Sequence, residues 1–408
     1  MALNIRELLA LAVKEGASDI HLTVGAPPVL RINGELVPFR WTEERGLAPC
    51  LPGAEFNTGD GVRPLSMEEI EQLVEQLAGE ERLRQFQKVG ECDFAYGVPG
   101  LGRFRVNCFR QRGSPAVAIR VLNAEIPSLT ELGLPETVAS LARRTSGLVI
   151  VTGPTGSGKS TTLAAMIDLI NRERCCHVIT LEDPIEYLHS HKRSIVNQRE
   201  IGDDAGNFAS ALRAALREDP DVILIGEMRD LETIATAITA AETGHLVMAT
   251  LHTIDTAQTV ARIVDAFPAG QQNQVRVQLA GCLLAVAAQQ LIPRADGRGR
   301  VAAFELLLCT PAAANLIREG KLHQLGTVLE TGSGLGMVTM HQSLKYLRDA
   351  GLITEEEYSR RVRALGGSTV SPSVPTGGGA GSPGRAMGAL EGGTGALRGG
   401  AGHARLAL

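Results

Sequence analysis

Residues Gly153, Pro154, Thr155, Gly156, Ser157, Gly158, Lys159 and Ser160 fit the pattern G-x-x-x-x-G-K-S/T in full, and Thr161 follows. An apolar run, Leu148-Val149-Ile150-Val151, leads into them, and residues 161–170 read as a helix. Strand, glycine loop and helix together are the context that lets this pattern bind phosphate. The glycines allow backbone N–H groups to wrap the phosphates, the Lys159 ammonium reaches the outer ones, and the Ser160 hydroxyl is placed to meet Mg²⁺. The helix that begins there adds the positive end of its dipole. The chemistry expected is that of an ATP site with Mg²⁺ as cofactor, with residues 153–161 as the phosphate cradle.

Three further segments place acids or histidines at strand ends, where a sheet of this kind presents its ligands. The run Val178-Ile179-Thr180-Leu181 ends in Glu182-Asp183-Pro184, followed by Ile185, Glu186 and Tyr187. Glu182 suits a group that orients or deprotonates an attacking water; a solvated Asp-Pro turn is the plainer alternative. The run Val222-Ile223-Leu224-Ile225 ends in Gly226-Glu227 and resembles a Walker B strand, with Glu227 where Asp is usual. Its expected role is to hold Mg²⁺ through water, together with Ser160. Residues 246–250 form an apolar run bracketed by His245 and His252. A lone histidine is more often a satisfied core group, but two around one strand make both candidates for the site.

These segments need elements to carry them. The chain has 408 residues, 44% of them hydrophobic and 3% aromatic, enough for two or three domains. A net charge of −5 gives no electrostatic sign of a nucleic-acid partner. No apolar run approaches the ~18 residues of a membrane span, and residues 1–10 lack the basic region and cleavage site of a signal peptide, so no transmembrane segment is expected. Seven scattered cysteines without a C-x-x-C pair argue against zinc and against a disulfide framework, and fit a reduced, cytoplasmic setting.

Residues 5–13 repeat at helical spacing, with Gly16 as a stop. Extended segments follow at 20–24 and 29–32, with a turn at Asn33-Gly34. Residues 41–64, rich in Gly and Pro, show no period and read as a loop insertion. Ser66 and Glu69 form a capping box ahead of a second helix. Residues 103–109 alternate strictly, so that Phe104, Val106 and Cys108 face a core while Arg103, Arg105 and Asn107 face away. A strand over 116–122 completes an α+β domain over residues 1–125. Pro127 and Pro135 mark a linker, 126–135. Residues 136–304 alternate strands (148–151, 177–181, 222–225, 246–250) with helices, the pattern of a largely parallel sheet. Residues 305–365 are mostly helical, with Thr310-Pro311 at one helix start and a capping box at Thr354 and Glu357. From 366 to 408 the chain is Gly, Ser, Pro, Ala and Thr, too poor in apolar surface to offset its ordering entropy. That tail is expected to be disordered.

The wording of these motifs is similar to that of the hexameric secretion ATPases. The stretches Gly16-Ala-Ser-Asp-Ile-His-Leu-Thr-Val-Gly-Ala-Pro-Pro28, Gly226-Glu-Met-Arg-Asp-Leu-Glu-Thr233 and Ala314-Asn-Leu-Ile-Arg-Glu-Gly-Lys321 resemble the type IV pilus retraction ATPases, the PilT family. The resemblance runs from about residue 3 to about residue 364, interrupted by the 41–64 insertion. It implies an α/β protein: a RecA-like P-loop ATPase core with an N-terminal α+β PAS-like domain and C-terminal helices. It implies a homohexamer that hydrolyses ATP to drive pilin disassembly and twitching motility, at the cytoplasmic face of the inner membrane against the pilus platform protein. Glu182 then matches the catalytic glutamate, Glu227 the Walker B acid, and His245 and His252 the His-box pair. Arg105 and Arg120 match arginines that reach the phosphates, where added positive charge accelerates phosphoryl transfer.

The pattern departs from the family at two places. The signature Ala-Ile-Arg-Asn-Leu is Ala312-Ala313-Ala314-Asn315-Leu316 here, and His341 follows Met340 where an acid is common. Both lie in the C-terminal helices, so they bear on coupling rather than on ATP chemistry. A pilus assembly or type II secretion ATPase is the nearest alternative. It usually carries a four-cysteine zinc insertion, whereas only Cys282 and Cys309 fall in the corresponding span. A nucleotide-binding regulator without motor activity is the alternative from another class.

Overall fold

The computed structural model describes residues 4–42, 46–50, 63–122 and 125–365. The expected disorder of residues 366–408 falls outside these residues. The chain opens with helix α1 (Ile5–Lys14), capped by Asn4, whose side-chain oxygen accepts from Arg6 N at 3.0 Å. Its buried stripe is Ile5, Leu8, Leu9 and Ala12. Strands β1 (Asp19–Thr23), β2 (Val29–Ile32) and β3 (Glu35–Thr42) follow. Asn33 and Gly34 take positive φ of 52° and 89°, the twist that a two-residue hairpin between β2 and β3 requires. Strand β4 (Gly46–Pro49) pairs antiparallel with β3, so the segment read as a structureless insertion contains a β-hairpin at its start. Gly and Pro hid it, since both are depleted in strands.

Helix α2 (Met67–Val89) starts at the expected capping box: Glu69 N donates to Ser66 Oγ at 3.2 Å and Ser66 N to Glu69 Oε2 at 2.9 Å. It kinks at Gly79, whose φ of 70° is not helical. Strands β5 (Glu91–Val98), β6 (Gly102–Gln111) and β7 (Ser114–Leu122) complete an antiparallel sheet of order β4-β3-β2-β1-β7-β6-β5. Its core holds the apolar faces of both helices, and Phe104, Val106 and Cys108 are fully buried in it. The other face of β6 does not all go to water. Arg103 turns to the rest of the protein and pairs with Glu200, as Arg82 of α2 does with Asp203.

The second half contains α3 (Glu136–Ala142), β8 (Gly147–Thr152), α4 (Lys159–Glu173), β9 (His177–Glu182), β10 (Ile195–Glu200), α5 (Phe208–Ala215), β11 (Val222–Ile225), α6 (Leu231–Glu242), β12 (Leu246–Thr250), α7 (Thr256–Asp265), α8 (Gln272–Cys282), β13 (Leu283–Pro293) and β14 (Arg300–Leu308). The strands form one sheet, β10-β9-β11-β12-β8-β13-β14, parallel from β10 to β13 with β14 antiparallel at the edge. All six residues of β8 are buried, as a central strand covered on both faces must be. Leu148 and Ile150 pack into the core on one side, Val149 and Val151 into the core on the other.

The chain then forms α9 (Pro311–Arg318), α10 (Leu325–Thr331), α11 (Met340–Asp349) and α12 (Glu355–Ala364). Thr310 caps α9, with Pro311 at its first position. Helices α11 and α12 bury Met340, Leu344, Leu347 and Val362 against Ile292 and Ala303 of the β13–β14 hairpin. The capping box expected at α12 is only half formed. Thr354 accepts from Glu357 N at 3.2 Å, but the Glu357 carboxylate turns to Arg360 and Arg361 instead of reaching back. Two guanidiniums attract it more than one amide does.

Candidate functional site

The phosphate loop joins β8 to α4, and β13 forms the wall behind it. Gly153 has φ 141°, and a Cβ there would stand 2.2 Å from the Gln289 carbonyl oxygen. Gly158, the N-cap of α4 at φ 89°, would place one 2.8 Å from Gln289 Nε2. Only glycine fits either place. Gln289 Oε1 also accepts from Thr162 Oγ1 at 2.8 Å, so β13 and α4 hold the loop between them. Lys159 is 8% exposed and donates to the carbonyls of Gly153 at 2.9 Å and Pro154 at 3.2 Å. Burial lowers its pKa from the ordinary lysine value, while Glu227 and Glu186 act against that shift. A dry ammonium facing two carboxylates, held only by neutral carbonyls, is well placed to take phosphate oxygens.

Around the loop lies a cavity of about 260 Å³. Thr155, Gly156, Lys159 and Ser160 line it from the phosphate loop, Glu182, Asp183 and Glu186 from the end of β9, Glu227 and Arg229 from the end of β11, and His252 from beyond β12. These are the carboxyl ends of adjacent parallel strands, where such sheets bind ligands. Glu227 is anchored twice: it forms an ion pair with Arg229 and lies 3.2 Å from His252 Nε2. Gly226 before it allows close passage, since a Cβ there would lie 3.1 Å from the Leu181 carbonyl.

From the first domain comes Arg105. It lines the same cavity while its guanidinium rests on Asp93, Nη2 to Oδ2 at 2.5 Å. That hydrogen bond raises its pKa above the ordinary arginine value, with Asp183 and Glu186 adding to the effect. Arg120 does not line the cavity. It is the direct cross-strand neighbour of Arg105, but its side chain is 67% exposed and held on Asp19 at 3.0 Å.

The geometry bears on two of the expected sets of site residues. Of His245 and His252, only His252 lines the cavity. The five residues of β12 lie between them, about 17 Å of strand at ~3.3 Å per residue, so they sit at opposite ends of that strand. His245 Nδ1 lies 3.0 Å from the Ala240 carbonyl at the end of α6, far from the phosphate loop. Glu182 lines the cavity with Glu186. Its carboxylate accepts from Thr180 Oγ1 at 2.6 Å and Gln198 Nε2 at 3.1 Å, and burial raises its pKa. Glu186 lies in the same cavity and is the carboxylate of this loop whose charge acts on both Lys159 and Arg105. The sequence shows two acids flanking Asp183-Pro184-Ile185. Both are half-buried, and only their partners tell them apart.

Gln198 and Arg229, for which no motif suggested a role, also touch this constellation, at Glu182 and Glu227. Oxygen donors fit Mg²⁺, which keeps most of its water and needs few protein ligands. The exposed Ser160 hydroxyl and the Glu227 carboxylate in one cavity supply that kind of set. Among the described residues, no group of three or more His, Cys, Asp and Glu converges as a metal cage.

A strand, glycine loop and helix opening on a parallel sheet, with acids at the neighbouring strand ends, define a P-loop ATPase with a RecA-like core. The family model described as type II/IV secretion system protein matches residues 100–342. The type IV pilus retraction ATPase PilT of Pseudomonas aeruginosa is 44% identical over 361 residues, 88% of this chain and 98% of that protein. A twitching motility protein of Neisseria gonorrhoeae is 50% identical over 299 residues, 73% of this chain and 80% of that one. The crystal structure of the pilus retraction motor PilT with bound ADP superposes with a TM-score of 0.77 at 49% identity, covering 88% of this chain and 96% of that one. The chain belongs to the type II/IV secretion system ATPases, in their PilT branch. It is an ATP-hydrolysing enzyme of that family. Among the described residues no helix is long and apolar enough to cross a membrane.

Proposed function

We propose that this chain is the motor of type IV pilus retraction, a homohexameric ring on the cytoplasmic face of the inner membrane that works against the pilus platform protein and returns pilin to the membrane. One observation carries the reading furthest: Arg105 of the first domain shares a cavity with Lys159, Glu186 and Glu227 of the second. Bond cleavage at the joint of two domains can change how they sit, and that is what a motor needs. The names of the relatives supply the direction of the work.

In this reading the phosphate loop and the α4 N-terminus hold the phosphates, and Lys159 leaves its two carbonyls for them. Ser160 and Glu227 would hold Mg²⁺, which when bound would neutralise phosphate charge. Glu186 orients the attacking water and receives its proton. Glu182 stiffens the loop beneath it. Arg105 moves from Asp93 to the phosphate, where a guanidinium stabilises the charge of the transition state. His252 fixes Glu227 at its place.

Expression in a cell lacking its own retraction motor tests the function. Twitching should return with the wild-type chain and not with Lys159→Ala. Piliation restored instead in a cell lacking its own assembly motor would assign the chain to the assembly alternative. The two arginines can be tested on purified rings. Arg105→Ala should lower kcat on the order of 10²- to 10³-fold, whereas Arg120→Ala should change it less than about 10-fold because its exposed side chain does not line the phosphate cavity. Equal losses in steady-state phosphate release would bring Arg120 back to the phosphates.

A further inference from the structure

Strand β10 carries two side chains, Gln198 and Glu200, that the scheme above does not use. They lie two residues apart, on one face of the strand. Both reach the loop that follows β9. Gln198 Nε2 donates to Glu182 Oε1 at 3.1 Å and to the Tyr187 carbonyl at 2.8 Å, while its Oε1 accepts from His189 N at 2.8 Å. Glu200 is 5% exposed and does not line the phosphate cavity. Its Oε2 accepts from Ile185 N at 3.1 Å, and the same oxygen pairs with Arg103 Nη2 of the first domain. Arg103 in turn is two residues from Arg105 on β6.

One buried carboxylate oxygen therefore joins the strand that delivers Arg105 to the amide next to Glu186. We propose that Glu200 is a positioning residue that couples the seating of the first domain to the loop carrying Glu186, so that the water-activating carboxylate is in place only when Arg103, and with it Arg105, is docked. Burial pushes the Glu200 carboxyl above the usual carboxylate range, and Arg103 pulls it back. A buried carboxylate that loses its cation is strongly disfavoured. When the first domain lifts away, Glu200 must take up a proton or turn to water, and either change weakens its hold on Ile185 N. The loop then loses an anchor one residue before Glu186. An open subunit would hold nucleotide without hydrolysing it. The second cross-domain pair, Arg82 with Asp203, is more exposed and grips no part of that loop, so it docks without relaying.

The proposal rests on the roles given above to Glu186 and Arg105, and two readouts keep its failure separate from theirs. The first is hydrogen exchange on the full-length chain. Arg103→Leu, a change in the first domain, should speed exchange of the Ile185 amide and its neighbours, whether or not the protein turns over ATP. The second is steady-state kinetics on rings. Arg103→Leu and Glu200→Gln should each lower kcat about 10- to 100-fold, with KM for ATP within about 3-fold because the phosphate loop is untouched. The double variant should fall no further than the worse single one, since both break a single link. Arg103→Lys, which keeps the charge, should recover much of the rate, and Arg82→Ala should stay within about 2-fold of wild type. Unchanged exchange at Ile185 in Arg103→Leu overturns the proposal, as do additive losses in the double variant or a Glu200→Gln ring at wild-type rate. If exchange responds as expected and the wild-type chain has no turnover, the coupling stands and the functional reading falls.

Discussion

Replacing Lys159 with alanine is expected to remove nucleotide binding and turnover together. The ammonium is nearly buried, and its partners in the structure are two neutral carbonyls of its own loop. Phosphate oxygens would replace those carbonyls with charge-assisted bonds worth ~1.5–3 kcal/mol each. Losing two of them weakens binding about 10²- to 10⁴-fold, which takes a site of about micromolar affinity to a Kd of about 0.1–10 mM. The fold should not suffer. Gly153 and Pro154 would offer their carbonyls to water in the cavity, and the loop remains clamped by Gln289 against Gly153 and Gly158. Titration with a fluorescent nucleotide, phosphate release and a thermal melt without nucleotide check all three parts. A Lys159→Ala protein that binds ATP within 10-fold of wild type would mean that the backbone cradle carries the affinity alone. A melt that shifts by many degrees would mean the lysine is structural.

Much of this site was legible in the sequence because buried parallel strands write continuous apolar runs. Strands β8, β11 and β12 appear where Leu148–Val151, Val222–Ile225 and Leu246–Thr250 announce them, each ending beside a residue of the cavity or its loop. Strand β10, Ile-Val-Asn-Gln-Arg-Glu, announced nothing. Its side chains Gln198 and Glu200 are polar because they brace a loop, and a strand doing polar work inside a protein has no apolar period. Strand β13 was hidden differently. It continues directly from α8, and its Ala-rich start, Leu-Leu-Ala-Val-Ala-Ala, suits helix and strand alike.

The same limit bears on residues that look alike in sequence. Flanking positions on a strand look equivalent in one dimension, yet the length of β12 puts His245 and His252 at opposite ends of it. Arg105 and Arg120 are cross-strand neighbours, each paired with an aspartate, and only Arg105 lines the cavity. Periodicity identifies faces and ends of elements. Which of two like residues is desolvated, and which is already occupied, depends on contacts distant in sequence.

That distinction is sharpest for Glu182 and Glu186, and it gives the second large effect. Glu186→Gln should leave ATP binding near wild type and lower kcat on the order of 10²- to 10⁴-fold, the usual contribution of a general base. An amide of the same size can still sit in the cavity but cannot accept the proton of the attacking water. Glu182→Gln should cost less than about 10-fold. Its side-chain carbonyl can go on accepting from Thr180 Oγ1 and Gln198 Nε2, which are the contacts that hold it now. Removing a buried charge even lifts a desolvation penalty, which is what raises the Glu182 pKa. Single-turnover hydrolysis by rings loaded with ATP separates the chemical step from binding and release. If Glu182→Gln stops that step while Glu186→Gln does not, the first acid of the loop is the base, and its two hydrogen bonds must open when nucleotide arrives. If both stop it, the acids act as a pair, with Glu182 holding the charge that keeps Glu186 basic. Only a dead Glu186→Gln ring beside an active Glu182→Gln ring matches one carboxylate whose charge acts on both Lys159 and Arg105 and another held by Thr180 and Gln198.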